Sequence, residues 1–253
     1  MIYSLKKYYY GEIVERSEEF YNSIKKRRSV KKFSQREVPF SAIENCILTA
    51  NTAPSINYKK PWHFVVVRDP IQKKKVRIKV EKEDAAYYDK LATKEWLKDL
   101  ELYLYEENEP NKKNYGHCLT MLHYFSSKGN EPSKMKDEKE IIIYPDRTFL
   151  EKAPYLIMIF AKEYFVDHHG EKKYYDNVLE SVGIATGFLI TALHQSGLVM
   201  LPYTINPTSY FNDIFNRPEN EKPIFLIAVG SPEEGTKVSG IPECELKKMV
   251  TVF

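Results

Sequence analysis

From residue 181 to residue 204 the chain carries no Asp, Glu, Lys or Arg, and no other feature constrains its fold as much. About 20 apolar residues suffice to cross a bilayer, so length alone would allow a membrane span. Gly197 interrupts the run where a helix stop is expected, and the residues after it turn β-like. The stretch therefore divides into a buried helix over 177–196 and a strand over 198–204. Gly183, Ala185, Gly187 and Ala192 stand among bulky neighbours on that helix. Such a surface suits close packing, either in the core of one chain or against a second subunit.

The remaining elements follow from shorter patterns. Ser41 and Glu44 have the spacing of a capping box, with Phe40 ahead of them, so a helix starts at Ser41. Ile43, Ile47 and Ala50 then share one face, and Cys46 packs beside them as a small hydrophobe. Three apolar runs, at 63–67, 155–160 and 224–229, are each bounded by Pro, Gly or charges and are expected as interior strands. Val76, Val80, Asp84, Tyr88 and Leu91 recur on one face of a helix over 70–91. After Trp96 the chain is polar and Tyr-rich through Asp146, an insert or lid at about 97–147. Helices flanking the strands give a mixed α and β class, and no linker divides the 253 residues into independent domains.

Charge and cysteine usage exclude several functions. Lys and Arg number 38 against 35 Asp and Glu, a net charge of +3 that argues for neither a nucleic-acid nor a membrane partner. Cys46, Cys118 and Cys244 are odd in number and form no CxxC pair, so neither a disulfide framework nor a zinc cluster is encoded. The His117-Cys118 pair with His123, and Asp167-His168-His169, fall short of a closed four-ligand metal set. The second set suits a turn between Tyr164 and Tyr174. There is no GxGxxG, P-loop or GxSxG pattern, so a nicotinamide would have no Rossmann site of its own. With no signal-peptide core at the N-terminus, a cytoplasmic address is expected.

Two segments carry candidate chemistry. Residues 25–32 hold six cations in eight positions, with Ser29 among them, which could clamp a phosphate or form a solvated basic turn. Residues 52–61 place Pro54, Ser55, Ile56 and Asn57 in a loop fixed by two prolines, just before the 63–67 strand.

Arg27-Arg28-Ser29-Val30-Lys31-Lys32-Phe33, the Ala53-Pro54-Ser55 turn, the run from Pro61 to Val67 and Asp69-Pro70 together resemble the flavin-dependent nitroreductase superfamily. More narrowly, the sequence is similar to its iodotyrosine deiodinase branch. The match resumes at Glu151-Lys152-Ala153-Pro154, Ser181-Val182-Gly183, His194-Gln195-Ser196-Gly197 and Arg217-Pro218, and ends at Met249-Val250-Thr251-Val252.

The resemblance implies an α+β nitroreductase-like fold with a central mixed β-sheet flanked by helices. It also implies a homodimer of domain-swapped type with FMN at each subunit interface. Carried over by position, Arg27, Arg28, Ser29 and Lys31 would hold the FMN phosphate and ribityl chain, although the family usually has Arg where Lys31 stands. Pro54, Ser55 and Ile56 would line the flavin, with Asn57 facing the substrate. Pro202, Tyr203 and Thr204 would meet the isoalloxazine, Thr204 offering its hydroxyl to flavin N5 as the catalytic residue. Deiodinases grip an amino acid zwitterion with Glu, Tyr and Lys; the aligned positions here are Asp84, Tyr88 and Arg147. The same Asp84 and Tyr88 could equally be a solvent-edge pair on an amphipathic helix. No Arg stands at the C-terminal FMN-contacting position, leaving Lys247 or Lys248 as substitutes.

The function implied is an FMN-dependent oxidoreductase that passes electrons from reduced flavin to a small aromatic substrate, with NADH or NADPH as a transient donor. Two alternatives stand beside it. One is reductive dehalogenation of halotyrosines. The other is a non-catalytic flavin carrier, motivated by the missing Arg.

Overall fold

The structure is a computed structural model that describes residues 4–91, 147–204, 210–238, 240 and 245–252, with backbone alone over 85–91. The insert at 97–146, the side chain of Tyr88, and Cys118, Cys244, His117 and His123 lie outside the described residues.

The order of elements begins with α1 (Tyr10–Ile24), α2 (Phe40–Ala50), β1 (Trp62–Val67) and α3 (Pro70–Leu91). It continues with α4 (Phe149–Lys152), β2 (Tyr155–Lys162), β3 (Tyr164–Val166), β4 (Lys172–Tyr174) and α5 (Val178–Gln195). β5 (Val199–Tyr203), α6 (Tyr210–Phe215) and β6 (Glu221–Gly230) complete the body. Four strands form one sheet in the order β1-β2-β6-β5, and β3 and β4 pair as a separate hairpin.

Both sheet faces are covered. Alternate residues of β2 point to opposite sides. Tyr155, Ile157, Ile159 and Ala161 join a core with α2 and α5, while Leu156, Met158 and Phe160 join a second core with α3, α4 and α6. That double burial explains why the strand is apolar at every position from Tyr155 to Ala161. α5 is long and apolar enough to cross a membrane by length and composition. Here Val182, Ala185, Leu189 and Leu193 are buried against the sheet instead. Gly197, at φ +75°, ends this helix in the left-handed conformation that favours glycine.

Three expectations need revision. Among the described residues the strands pair antiparallel at every interface, and the mixed character of the sheet rests on one isolated parallel bridge, Ser29 with Met200. β1 is an edge strand rather than an interior one, with half-buried residues from His63 to Val66. The Ser41–Glu44 capping box is not used, because α2 starts at Phe40 behind Pro39, which caps it without a side-chain bond. At α1, by contrast, the Tyr9 N–H does donate to the Glu12 carboxylate at 2.9 Å.

The turn expected around Asp167 is present. Asp167 Oδ1 accepts from the His169 and Glu171 N–H groups at 2.9 and 3.0 Å, closing the β3–β4 hairpin with Tyr164 opposite Tyr174.

At the end of β6, a Cβ on Gly230 would meet Pro154 Cδ at 2.5 Å and Phe33 Cδ1 at 3.0 Å. Close approach of the 154 turn to β6 therefore requires glycine there. Gly230→Ala is expected to lower unfolding stability by about 1–3 kcal/mol through overpacking, measured by urea denaturation.

Candidate functional site

Helix α3 brings an acid into the interior. Val76 and Val80 are fully buried, and one further turn along the same stripe places Asp84 at 6% exposure. The solvent-edge alternative for Asp84 is thereby excluded. Arg147, 5% exposed, lies two residues before the first residue of α4, and its carbonyl accepts from the Leu150 N–H at 2.9 Å. α4 is itself pinned to α3: Lys73 Nζ donates to the Ala153 carbonyl at 2.7 Å, and Arg77 Nε to Glu151 at 2.8 Å. This docking brings Arg147 Nε to 2.7 Å from Asp84 Oδ2.

The third member comes from β5. Val199, Leu201 and Tyr203 point to the α3 side of the sheet, whereas Met200 belongs to the opposite core. Strand alternation thus sends the Tyr203 side chain away from the face of Met200. Its hydroxyl donates to Asp84 Oδ1 and Oδ2 at 2.8 and 2.7 Å, and the Arg147 guanidinium lies 4.6 Å from its ring centroid. Phe149 packs edge-on against the same ring at 6.2 Å. Sequence reasoning grouped Tyr203 with Pro202 and Thr204; the period of two along the strand was the signal that separates them.

Tyr210, at the start of α6, adds a phenol to this neighbourhood. It is 8% exposed, and its hydroxyl has no hydrogen-bond partner among the described residues. Burial, with the nearby Asp84 and Glu83 carboxylates, pushes that phenol far above the usual tyrosine range, so it stays protonated. Lys79 lies over its ring at 5.0 Å from the centroid.

The basic segment lies against the same strand from the other edge. The Val30 N–H donates to the Met200 carbonyl at 3.1 Å, and Ser29 is level with Met200 in parallel register. Residues 29–31 therefore run in the direction of 200–202. Thr204, exposed just past the strand end, stands four residues beyond that level, roughly 13 Å at about 3.3 Å per residue. Arg27, Arg28, Ser29 and Lys31 supply two guanidiniums, a hydroxyl and an ammonium. Beside them, Lys26, Arg28, Met200, His194 and Thr236 line a cavity of about 140 Å³. Thr236 Oγ1 is buried there with no hydrogen-bond partner among the described residues. Cations and an unsatisfied hydroxyl at one end of β5, with Thr204 at the other, fit a molecule that has an anionic end and a polar ring edge, as FMN does.

The third group of expected residues sits elsewhere. Ser55 Oγ accepts the Lys60 N–H at 3.0 Å, holding a tight turn in which Asn57, Tyr58 and Lys60 all have left-handed φ. Ile56 and Asn57 line a recess of about 60 Å³ with Phe165 and Tyr174 of the β3–β4 hairpin. Pro54 is exposed at the entrance to this turn. Lys247 and Lys248 both pair with Glu245, at 2.8 and 3.2 Å.

Removing one partner of a buried ion pair costs about 3–5 kcal/mol. Asp84→Ala and Arg147→Met are each expected to destabilise the fold by that amount. The double variant is expected to lose clearly less than the sum, in a thermal-denaturation double-mutant cycle.

Comparison with known proteins identifies the family and the fold. Residues 24–231 match the model of the Nitroreductase family. The iodotyrosine deiodinase of Haliscomenobacter hydrossis is 38% identical over 244 residues, covering 96% of this chain and 92% of that protein. Iodotyrosine deiodinase 1 of Homo sapiens is 34% identical, covering 95% of this chain and 71% of that protein. A crystal structure of oxidized iodotyrosine deiodinase bound to FMN and 3-iodo-L-tyrosine superposes with a TM-score of 0.61 at 23% identity, covering 92% of this chain and 97% of that one. A BluB-like flavoprotein from Clostridium difficile 630 reaches 0.58 at 17% identity, covering 92% and 97%. At those identities the two structures speak for the fold, and the closer sequence relatives for the branch. The chain belongs to the nitroreductase family of FMN-dependent enzymes, on its iodotyrosine deiodinase-like branch.

Proposed function

We propose that this enzyme is a homodimeric reductive dehalogenase of a small aromatic amino acid, with a halogenated tyrosine as its substrate class. The observation that carries this reading is the buried Asp84–Arg147 pair, an acid and a cation 2.7 Å apart beside the strand that leads to Thr204. A free amino acid presents one ammonium and one carboxylate, and this pair offers one complement for each. General reduction of nitroaromatics or quinones by NADH or NADPH asks for no such pair. The deiodinase relatives at 31–38% identity support the same choice.

Bound FMN would supply the reducing electrons. Replacing a carbon–halogen bond by carbon–hydrogen consumes two electrons and one proton and releases halide. In this reading Arg27, Arg28, Ser29 and Lys31 hold the cofactor's phosphate end. Pro54, Ser55 and Ile56 flank its ring, and Thr204 offers a hydroxyl at the ring edge. Asp84 and Arg147 orient the substrate's ammonium and carboxylate, Tyr88 stands one turn further on the same helix, and Asn57 faces the aromatic ring. Orientation is this chain's main contribution, since the cofactor carries the chemistry.

The dimer has its own support. α1 buries none of its residues, and Ile13, Val14, Phe20 and Tyr21 are exposed. On α5, Leu179, Ile184 and Phe188 are exposed, and a Cβ on Gly183 or Gly187 would meet nothing within 4 Å. Leu246, Met249, Val250 and Val252 are exposed near the C-terminus. So much uncovered apolar surface on one chain suits a second copy, and the groove of about 580 Å³ between α1, α2 and α5 suits its docking.

Anaerobic single turnover tests the reaction. FMN-loaded enzyme, reduced with dithionite and mixed with 3-iodo-L-tyrosine, is expected to release one iodide per flavin as the flavin band returns. Reoxidation by nitroaromatics with no iodide released would replace this reading with a general nitroreductase. Slow flavin loss without turnover would replace it with a carrier. Sedimentation velocity is expected to show twice the 29.7 kDa chain mass.

A further inference from the structure

Tyr58 is 90% exposed, and its backbone sits at φ +57°. Asparagine visits that left-handed region readily, as Asn57 does at φ +51°. A bulky residue there is strained, because its Cβ crowds the following carbonyl oxygen. Tyr58 is such a residue, and Lys60, at φ +48°, is another in the same turn.

Strain of this kind persists only where the surroundings over-determine the backbone. The Tyr58 N–H donates to the Ser55 carbonyl at 3.1 Å, and the Lys59 N–H to the Ile56 carbonyl at 3.1 Å. Ser55 Oγ accepts the Lys60 N–H at 3.0 Å, and the Trp62 N–H donates to the Lys60 carbonyl at 2.8 Å, tying the turn to the start of β1. The Lys59 ammonium lies 5.4 Å from the Phe165 ring centroid, so the β3–β4 hairpin holds the turn from its other side. The Tyr58 side chain is the exception. Among the described residues it has no hydrogen bond, ion pair or ring contact. The fold therefore holds an aromatic ring on a strained backbone and gains no contact from it.

Position says what the ring is for. In the reading above, Pro54, Ser55 and Ile56 flank the flavin ring and Asn57 faces the aromatic ring of the substrate. Consecutive Cα atoms are about 3.8 Å apart, so the Tyr58 ring stands within one side chain's reach of the same molecule. Resting on that reading, we propose that Tyr58 is a substrate-binding residue whose ring packs on the aromatic ring of the substrate, and that the strained turn fixes it there in advance. An aromatic pair is favoured beyond the area it buries, and nearly the whole Tyr58 ring is left to cover. A ring already held on a tied turn loses little freedom when the substrate arrives. Glycine at 58 would relax the backbone and remove the ring, which sets stability against binding at this one position.

Tyr58→Phe, Tyr58→Ala and Tyr58→Gly, each loaded with FMN, test the inference. Affinity for 3-iodo-L-tyrosine is read from the change in flavin absorbance, FMN affinity by equilibrium dialysis, and the dimer by sedimentation velocity. Tyr58→Ala and Tyr58→Gly are expected to weaken 3-iodo-L-tyrosine binding by about threefold to tenfold, the worth of one aromatic pair, and Tyr58→Phe to restore it. Tyr58→Gly is expected to melt above both Tyr58→Ala and the natural chain while binding worse than the natural chain, a combination that a merely structural tyrosine would not give. Equal melting of Tyr58→Gly and Tyr58→Ala would remove the strain and the proposal with it. Unchanged 3-iodo-L-tyrosine affinity in those two variants overturns the proposal. So does a loss of FMN affinity, which would place the ring on the cofactor, or a weakened dimer with 3-iodo-L-tyrosine affinity intact, which would place it on a second copy. In each of these cases, iodide release by the natural chain leaves the dehalogenase reading standing. A natural chain that neither binds 3-iodo-L-tyrosine nor releases iodide from it overturns both.

Discussion

Everything in this structure is hung on a central strand whose two faces are both buried. β2 has no solvent side from Tyr155 to Ala161, so the sheet can exist only with helices packed on both faces. α2 and α5 cover one face, and α3, α4 and α6 the other. That constraint explains the near-continuous apolar run of β2 and the need for Gly230 beside Pro154. It also divides the site: residues that alternate along β5 are delivered to opposite sides of the same sheet.

The division gives the two sides different chemistry. On the α3 side lies a dry cluster of Asp84, Arg147, Tyr203 and Tyr210, where charge is tolerated only because it is paired. Along the outer edge of β5, the basic segment around Ser29 is tied by backbone to Met200 and remains open enough for Ser29 and Lys31 to be exposed. In the proposed reading, a flavin phosphate would ask for accessible cations, whereas recognition of an amino acid's charges would gain most from groups withheld from water. β5 is the shared element, and a change in its position would be felt by both.

Much of the fold was legible along the chain. α3 was expected over 70–91 and spans Pro70–Leu91, and the helix–Gly–strand order around Gly197 followed from its uncharged run and one glycine. The family could be named from dispersed short segments whose order and spacing agree. Local chemistry was less reliable where two solutions were open. Ser41 and Glu44 had capping spacing, but Pro39 started the helix one residue sooner. The 63–67 run was apolar enough for an interior strand, yet nothing in it said how many neighbours it would have.

The sequence by itself determined the periodicities, the element boundaries set by Gly and Pro, the balanced charge and the family, because these depend on residues near one another or on order along the chain. Only tertiary structure decided that Asp84 would be buried, that its partner would be Arg147, 63 positions away, and that Tyr203 would close over both. No local rule couples those residues. Their meeting requires α3 and α4 to dock on one face of the sheet, and β5 to reach that face in a register that turns position 203, rather than 202 or 204, toward it.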